Sequence, residues 1–164
     1  MTTVEVRKTD LQLLVRALRA EADGKALRRD LVRGLKAAVE PAAAAARASI
    51  LGMGVRGLSH AEPGLRSSVA RATKVSVRTS GKRAGVRVLV KKHSMPRGFF
   101  NAPKRLNSRK GWRHPVFGSD RWVLQRGKPG WFDDTLEKAK PAATAAAAAA
   151  LETVAKRISA KTKG

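Results

Sequence analysis

His60, His93 and His114 are the side chains best suited to bind a metal or move a proton, yet they lie far apart in the chain. None stands at the short spacing that a set of metal ligands needs. His114, between Arg113 and Pro115, reads as a structural hydrogen-bonding residue. Asp133 and Asp134 are adjacent, which suits a helix N-terminus better than a pair of acid–base carboxylates. Ser67 and Ser68 have no histidine near them to act as a base. Residues 52–57, Gly-Met-Gly-Val-Arg-Gly, have the outline of a phosphate-cradling loop, but they follow a helical stretch rather than a strand and read as a turn. With no Cys in the chain, disulfides and thiolate metal or redox sites are excluded. The expectation is a protein with no catalytic residue, no metal and no cofactor, one that is not an enzyme and works by binding.

Charge says where the binding would occur. The chain carries 35 Lys and Arg against 12 Asp and Glu, a formal net charge of +23. No acidic residue occurs in residues 63–119, and fifteen Lys or Arg fall in that interval. An unbroken positive block attracts phosphate backbones or acidic protein surfaces, with a strength that falls as salt rises. Within it, Arg78, Lys82, Arg83, Arg87, Lys91 and Lys92 are expected to cluster on one face and at the tip of a hairpin. They could form a finger that contacts nucleic-acid phosphate or an acidic ring, or be an ordinary solvated strand face. No helix carries the Arg/Asn pattern of a groove-reading motif.

The elements that must hold these residues are legible in the hydrophobic spacing. Residues 9–22 predict a first helix, capped by Thr9 or Asp10, with Leu11, Leu14, Val15 and Leu18 on one face. After a break at Asp23 and Gly24, residues 25–51 predict a longer helix bearing Leu27, Leu31, Leu35, Val39 and Ile50. Ala42, Ala43 and Ala46 continue its stripe with side chains small enough for a neighbouring helix to approach closely. Pro41 should kink or divide it. Residues 52–66, rich in glycine, predict a loop. In the hairpin that follows, Val75 and Val77 alternate with polar residues, as do Val86, Val88 and Val90 with Arg87 and Leu89, across a tip at residues 80–85.

All seven Phe and Trp residues fall in or directly after residues 91–131, an otherwise irregular stretch: Phe99, Phe100, Trp112, Phe117, Trp122, Trp131 and Phe132. Rings of that size need burial, in this fold or against a partner, and core packing is the expected fate ahead of stacking on bases. Short strands at 115–117 and 121–125 should extend the hairpin into one three- or four-stranded sheet. A last helix is expected over 134–160, opened by a capping box from Asp134 to Glu137, with Pro141 kinking it or marking its start. Its alanine run has high propensity but little apolar grip, so a neighbour is expected, such as copies of itself around a ring. Leu151, Val154 and Ile158 make its one clear stripe. The class is α+β in a single domain: N-terminal helices over about 9–51, the loop 52–66, the hairpin and aromatic-basic region 67–132, and the long helix 134–160.

The longest uncharged run, residues 141–151, is too short to span a bilayer, and the first ten residues lack the apolar segment of a signal peptide. A soluble chain kept inside the cell, with no membrane partner, is expected.

The order of these elements, with Gly64-Leu65-Arg66-Ser67-Ser68, then RHPVFG at 113–118, WVLQRGKPGWF at 122–132 and a long Ala-rich helix, resembles the tail-completion (neck, or head–tail connector) proteins of long-tailed phages. The resemblance is particularly to versions from actinobacterial phages and prophages and covers roughly residues 10–160. The family's acidic-aromatic-glycine triplet ahead of the last helix is not present. The resemblance implies a structural virion protein: a subunit of a closed ring, a hexamer, between the head-closure proteins and the tail-terminator or tail-tube proteins. It would encircle the DNA channel of the virion neck, after assembly in the host cytoplasm. It implies no catalytic residues. The competing expectation is a non-specific nucleic-acid-binding protein, associated with the nucleoid or the ribosome.

Overall fold

The spacing of apolar residues at every third or fourth position organises the chain around one long helix. The computed structural model describes residues 8–20, 23–54, 64–81, 84–115 and 120–162. Its elements are α1 (Lys8–Ala20), α2 (Gly24–Leu51), α3 (Leu65–Ala72), β1 (Thr73–Arg78), β2 (Gly85–Val90), a 3-10 turn (Lys92–Ser94), α4 (Ala102–Asn107), β3 (Trp112–Pro115), β4 (Trp122–Gln125) and α5 (Asp133–Thr162). The fold is α+β, with helices first, two small antiparallel ribbons, and a long C-terminal helix.

Leu27, Leu31, Leu35, Val39, Ala42, Ala43, Ala46 and Ile50 are buried along α2, against which α1, α3, α5, β1 and β2 pack. Leu11, Val15 and Leu18 of α1 close one end. Each such leucine or valine contributes roughly 1.5–3 kcal/mol on leaving water. From α5, Leu136, Ala143, Ala147 and Val154 are buried at spacings of seven, four and seven, the rhythm of a helix lying along another helix. The two run antiparallel. Lys128, just before α5, donates to the Ser49 carbonyl near the end of α2, while Arg157 near the end of α5 reaches Asp30 near the start of α2. A Cβ added at Gly34 would stand 3.4 Å from the Ala150 Cβ, so the helices approach closely through small residues.

Several expectations are narrowed or corrected here. Of the two outcomes expected at each proline, α2 is not divided at Pro41 and α5 does not start at Pro141. Pro41 and the residue four before it, Ala37, are both solvent-exposed, as are Pro141 and Glu137. The carbonyl that loses its N–H partner can therefore turn to water. Thr9 and Asp10 are not caps, because α1 already includes Lys8. The neighbour of the alanine run is α2 of the same chain.

The start of α5 is also held differently. It begins at Asp133, and the side chain of Asn107, from the end of α4, takes the place given to the capping box. Asn107 Oδ1 accepts from the Phe132 N–H at 2.9 Å, and Nδ2 donates to Asp133 Oδ2 at 2.6 Å.

Helix α3 occupies residues read as loop and as approach to the hairpin. Val69, Ala70 and Ala72 are buried on it, and its Arg66 donates to the Leu51 and Met53 carbonyls, which satisfies groups at the end of α2. The part of the expected loop at residues 55–63, with His60, lies outside the described residues. In the first ribbon the register pairs Val75 with Val88 and Val77 with Val86, so the valines share the face turned to α2. The second ribbon is a correction. Strands β3 and β4 pair only with each other, Trp112 with Gln125 and Pro115 with Trp122, and add nothing to the first sheet. Helix α4 carries the chain away from that sheet and holds the base of the ribbon. Gly127 passes so near Leu106 that an added Cβ would lie 2.5 Å from its backbone, and the Gly130 N–H bonds to the Asn107 carbonyl.

Candidate interaction surface

The outward face of the first ribbon carries Lys74, Ser76 and Arg78 on β1, opposite Leu89, Arg87 and Gly85 on β2. Lys74 and Arg78 are exposed and Arg87 is half-buried among them. Lys82 and Arg83 lie outside the described residues. Lys91 and Lys92 are exposed but follow β2 at the end away from the tip, where the Lys91 N–H bonds to the Ala72 carbonyl. Five strand residues lie between Gly85 and Lys91, a span of about 20 Å. The expected single cluster is therefore two: Arg78, Arg87 and the overlooked Lys74 along the strand face, and Lys91 and Lys92 at its base. Alternation alone could have found Lys74, since it shares the parity of Arg78.

The base cluster continues into a turn that the aromatic count marked without its charges. The Phe99 N–H bonds to the Pro96 carbonyl and the Ala102 N–H to the Phe99 carbonyl, so the backbone that carries both phenyl rings turns in a tight bend. Phe99 and Phe100 are about half exposed, and Arg97, Lys104 and Arg105 around them are exposed.

The rings divide sharply. Trp131 is 1% exposed and Phe132 is buried, in edge-to-face contact with centroids 5.3 Å apart. The Trp131 indole N–H donates to the Pro103 carbonyl at 3.3 Å, which ties α4 to the start of α5. Trp112 is half-buried against the core. Trp122 is 57% exposed and Leu124, two residues on, 55%. Core packing, expected for the aromatics as a group, thus fails for Phe99, Phe100 and Trp122. Phe117 lies outside the described residues. Trp122 and Leu124 share the face of β4 that includes exposed Arg113, paired across from Leu124, while Trp112 and Val123 occupy the other.

A shallow cleft of about 440 Å³ opens between α1 and the tip of the first ribbon, lined by Leu13, Val15, Arg16, Arg19, Thr79 and Ser80 among others. Arg28 fixes that tip, since its Nε and Nη2 donate to buried Thr79 Oγ1 at 3.1 and 2.7 Å. Carboxylates, by contrast, are largely spoken for. Asp30 faces Arg33 and Arg157, Glu40 faces Arg47, Asp134 faces Arg109, Glu137 faces Lys140 and Glu152 faces Lys156. The cations of residues 71–113 thus outnumber the acids that could answer them, and most point to solvent.

Among the described residues no three His, Asp or Glu side chains gather where they could hold a metal ion, and His93 is exposed on the 3-10 turn. Among the same residues no helix is long and apolar enough to cross a membrane. The arrangement can present positive charge and flat apolar rings from two ribbons and a turn on a helical frame. No family model, no curated protein and no solved structure matches this chain.

Proposed function

We propose that the chain is a structural docking subunit, a ring-forming head–tail connector in the neck of a long-tailed phage. The observation that carries this reading is the division of the surface. The helices α2 and α5 pack on each other and pair most of their acids with their own cations, while the ribbons and the turn before α4 show cations and half-bare rings exposed among the described residues. A surface of that kind is complete only against a partner. The resemblance to tail-completion proteins adds the identity of the assembly. Its most specific stretch, residues 113–118 and 122–132, includes the exposed Trp122 of the second ribbon and the buried Trp131–Phe132 pair at the start of α5.

Ring closure is head-to-tail, one face against a different face of the next copy. Copies that each carry +23 repel one another, so closure is expected to need acidic neighbours or DNA in the channel to offset the charge. The test is negative-stain imaging and sedimentation of the purified chain, alone and with the head-closure and tail-tube proteins encoded beside it. Closed rings or stable co-complexes that form with those proteins are expected. A chain that stays monomeric and binds none of them defeats the proposal.

The exposed Arg97, Phe99, Phe100, Lys104 and Arg105 favour one other reading, non-specific nucleic-acid binding. It predicts that the isolated monomer binds duplex DNA, with log K falling by about 0.9 per phosphate contact against log salt. Such binding, without any co-complex with virion proteins, decides for it.

A further inference from the structure

We infer that the solvent face of the second ribbon, Trp122, Leu124 and Arg113, is the docking surface for a different protein, one offering an apolar pocket rimmed by carboxylates. This rests on the connector reading and names the partner chemistry for one surface of it. The ribbon has only two strands, and a lone two-stranded ribbon is marginal in water. Here one face is used internally, by half-buried Trp112 and Val123. The other leaves an indole and an isobutyl group more than half in solvent at positions two apart. A polar β-former such as threonine would suit a solvated strand at these positions, so strand formation alone does not call for an exposed indole and isobutyl group. Tryptophan and arginine together are the side chains that most often dominate binding when buried by a partner.

Charge then selects the occupant. Arg113 shares the face, Arg126 follows β4 at the same parity, and Lys110 precedes the ribbon, all exposed. A second copy is a poor match. Its acids Asp30, Glu40, Asp134, Glu137 and Glu152 already lie within 4 Å of its own cations, and its net charge is repulsive. Nucleic acid would answer the arginines and could stack on Trp122. It gains less from Leu124, whose branched side chain offers no stacking plane to a second base. An apolar pocket ringed by Asp or Glu answers all three residues.

The experiment uses the full chain and a variant carrying Trp122→Ser with Leu124→Ser, both at exposed positions. Capture is measured against the purified head-closure and tail-tube proteins encoded beside the chain, and separately against a short mixed-sequence DNA duplex. Leu13→Ser, exposed on α1, is the control, and unchanged helical circular dichroism establishes that each variant folds. The expected result is a loss of about tenfold or more in affinity for one of the proteins, with DNA affinity unchanged. Arg113→Glu should weaken the same contact and reduce its salt dependence. If the double variant binds the protein as tightly as the parent, the inference is overturned while the connector reading stands. If the double variant instead loses DNA affinity, or shifts the self-association of the chain alone, the occupant is a nucleic acid or a second copy and the inference is wrong. If the parent chain binds none of the proteins, the connector reading falls and takes the inference with it.

Discussion

Trp131 and Trp122 lie nine residues apart in the chain, in the same basic, glycine-rich stretch, and end in opposite environments. Trp131 is sealed under the start of α5, with its N–H bonded to Pro103 and Phe132 set against its edge. Trp122 stands on the open face of a ribbon. The difference comes from what the flanking residues are tied to. Trp131 follows Gly130, whose N–H bonds to Asn107, and precedes Phe132, whose N–H does the same, so the backbone on both sides is clamped to α4. Trp122 is tied into the ladder with β3, opposite Pro115. One region of the molecule is consumed by its own structure and the other is left available.

The largest expected effect tests that contrast directly. Trp131→Ala should destabilise the fold by about 3–5 kcal/mol, because it removes a fully buried ring and leaves a cavity. Trp122→Ala should stay within about 0.5 kcal/mol of the parent. Urea denaturation followed by far-ultraviolet circular dichroism measures both. Equal losses at the two positions would show that the ribbon belongs to the core, and the contrast would be void.

The helical side can be broken by volume. Gly34 lies where α2 meets Ala150 of α5, with room for a Cβ and little more. Gly34→Leu should force the helices apart and cost about 1–3 kcal/mol. Gly34→Ala, which adds the one atom that fits and improves helix propensity, should be neutral or stabilising. Thermal melting of the two variants decides it. A tolerated leucine would mean that α2 and α5 do not pack as closely as their small residues suggest.

A smaller effect belongs to Asn107, the joint between the two regions. Its side chain satisfies an N–H at the start of α5 from a helix 25 residues earlier. Asn107→Ala should cost about 1–2 kcal/mol, the usual range for a lost cap. Hydrogen exchange should quicken at the amide of Phe132. Asn107→Asp keeps an acceptor for that amide but sets a carboxylate against Asp133, so it should not restore the loss. Full recovery in the aspartate variant would show that the bond to Asp133 is dispensable.

What the sequence made legible follows the same line. The stripe of α2 is a local signal at a period of 3.6, and Leu27, Leu31, Leu35, Val39 and Ile50 are all buried as their spacing implied. The β1–β2 alternation is equally local, and its valines pair as expected. Everything that depended on distant partners was hidden. Helix α3 has only Leu65 and Val69 at helical spacing, with two serines between them, and owes its place to burial against α2. The partner of β3 could not be read, because a four-residue strand carries too little alternation to say which edge it joins. The cap from Asn107 and the pairing of the alanine run with α2 are contacts between segments with no local trace of each other. For the candidate surface, residue type gave the charge and the aromatics. Exposure, which separates Trp122 from Trp131, and position along the ribbon, which separates Lys91 from Arg78, came only from the three-dimensional arrangement.

The smallest expected effect concerns charge on the helical side. Glu152 and Lys156 sit one turn apart on α5 with 2.8 Å between Oε1 and Nζ, both exposed. The hydrogen bond and the charge of Lys156 hold the Glu152 carboxyl below its ordinary range, and the same pair raises the Lys156 ammonium above its own. For Glu152 the stabilisation is present above the ordinary carboxylate range and is lost as acid carries the pH down through the lowered folded value. For Lys156 it is present below the ordinary lysine range and is lost as alkali carries the pH up through the raised folded value. The pair therefore acts across the neutral window and weakens at both ends. Glu152→Gln should flatten a slight acid-side slope in the stability of α5, an effect that salt abolishes because exposed pairs are screened. Urea midpoints at neutral and acid pH, in low and high salt, measure it. The decisive comparison is with Asn107→Ala. A larger loss from Glu152→Gln would mean that surface charge rather than the clamp at its first turn holds α5 in place, and the helical side would then share the salt sensitivity predicted for the ribbons.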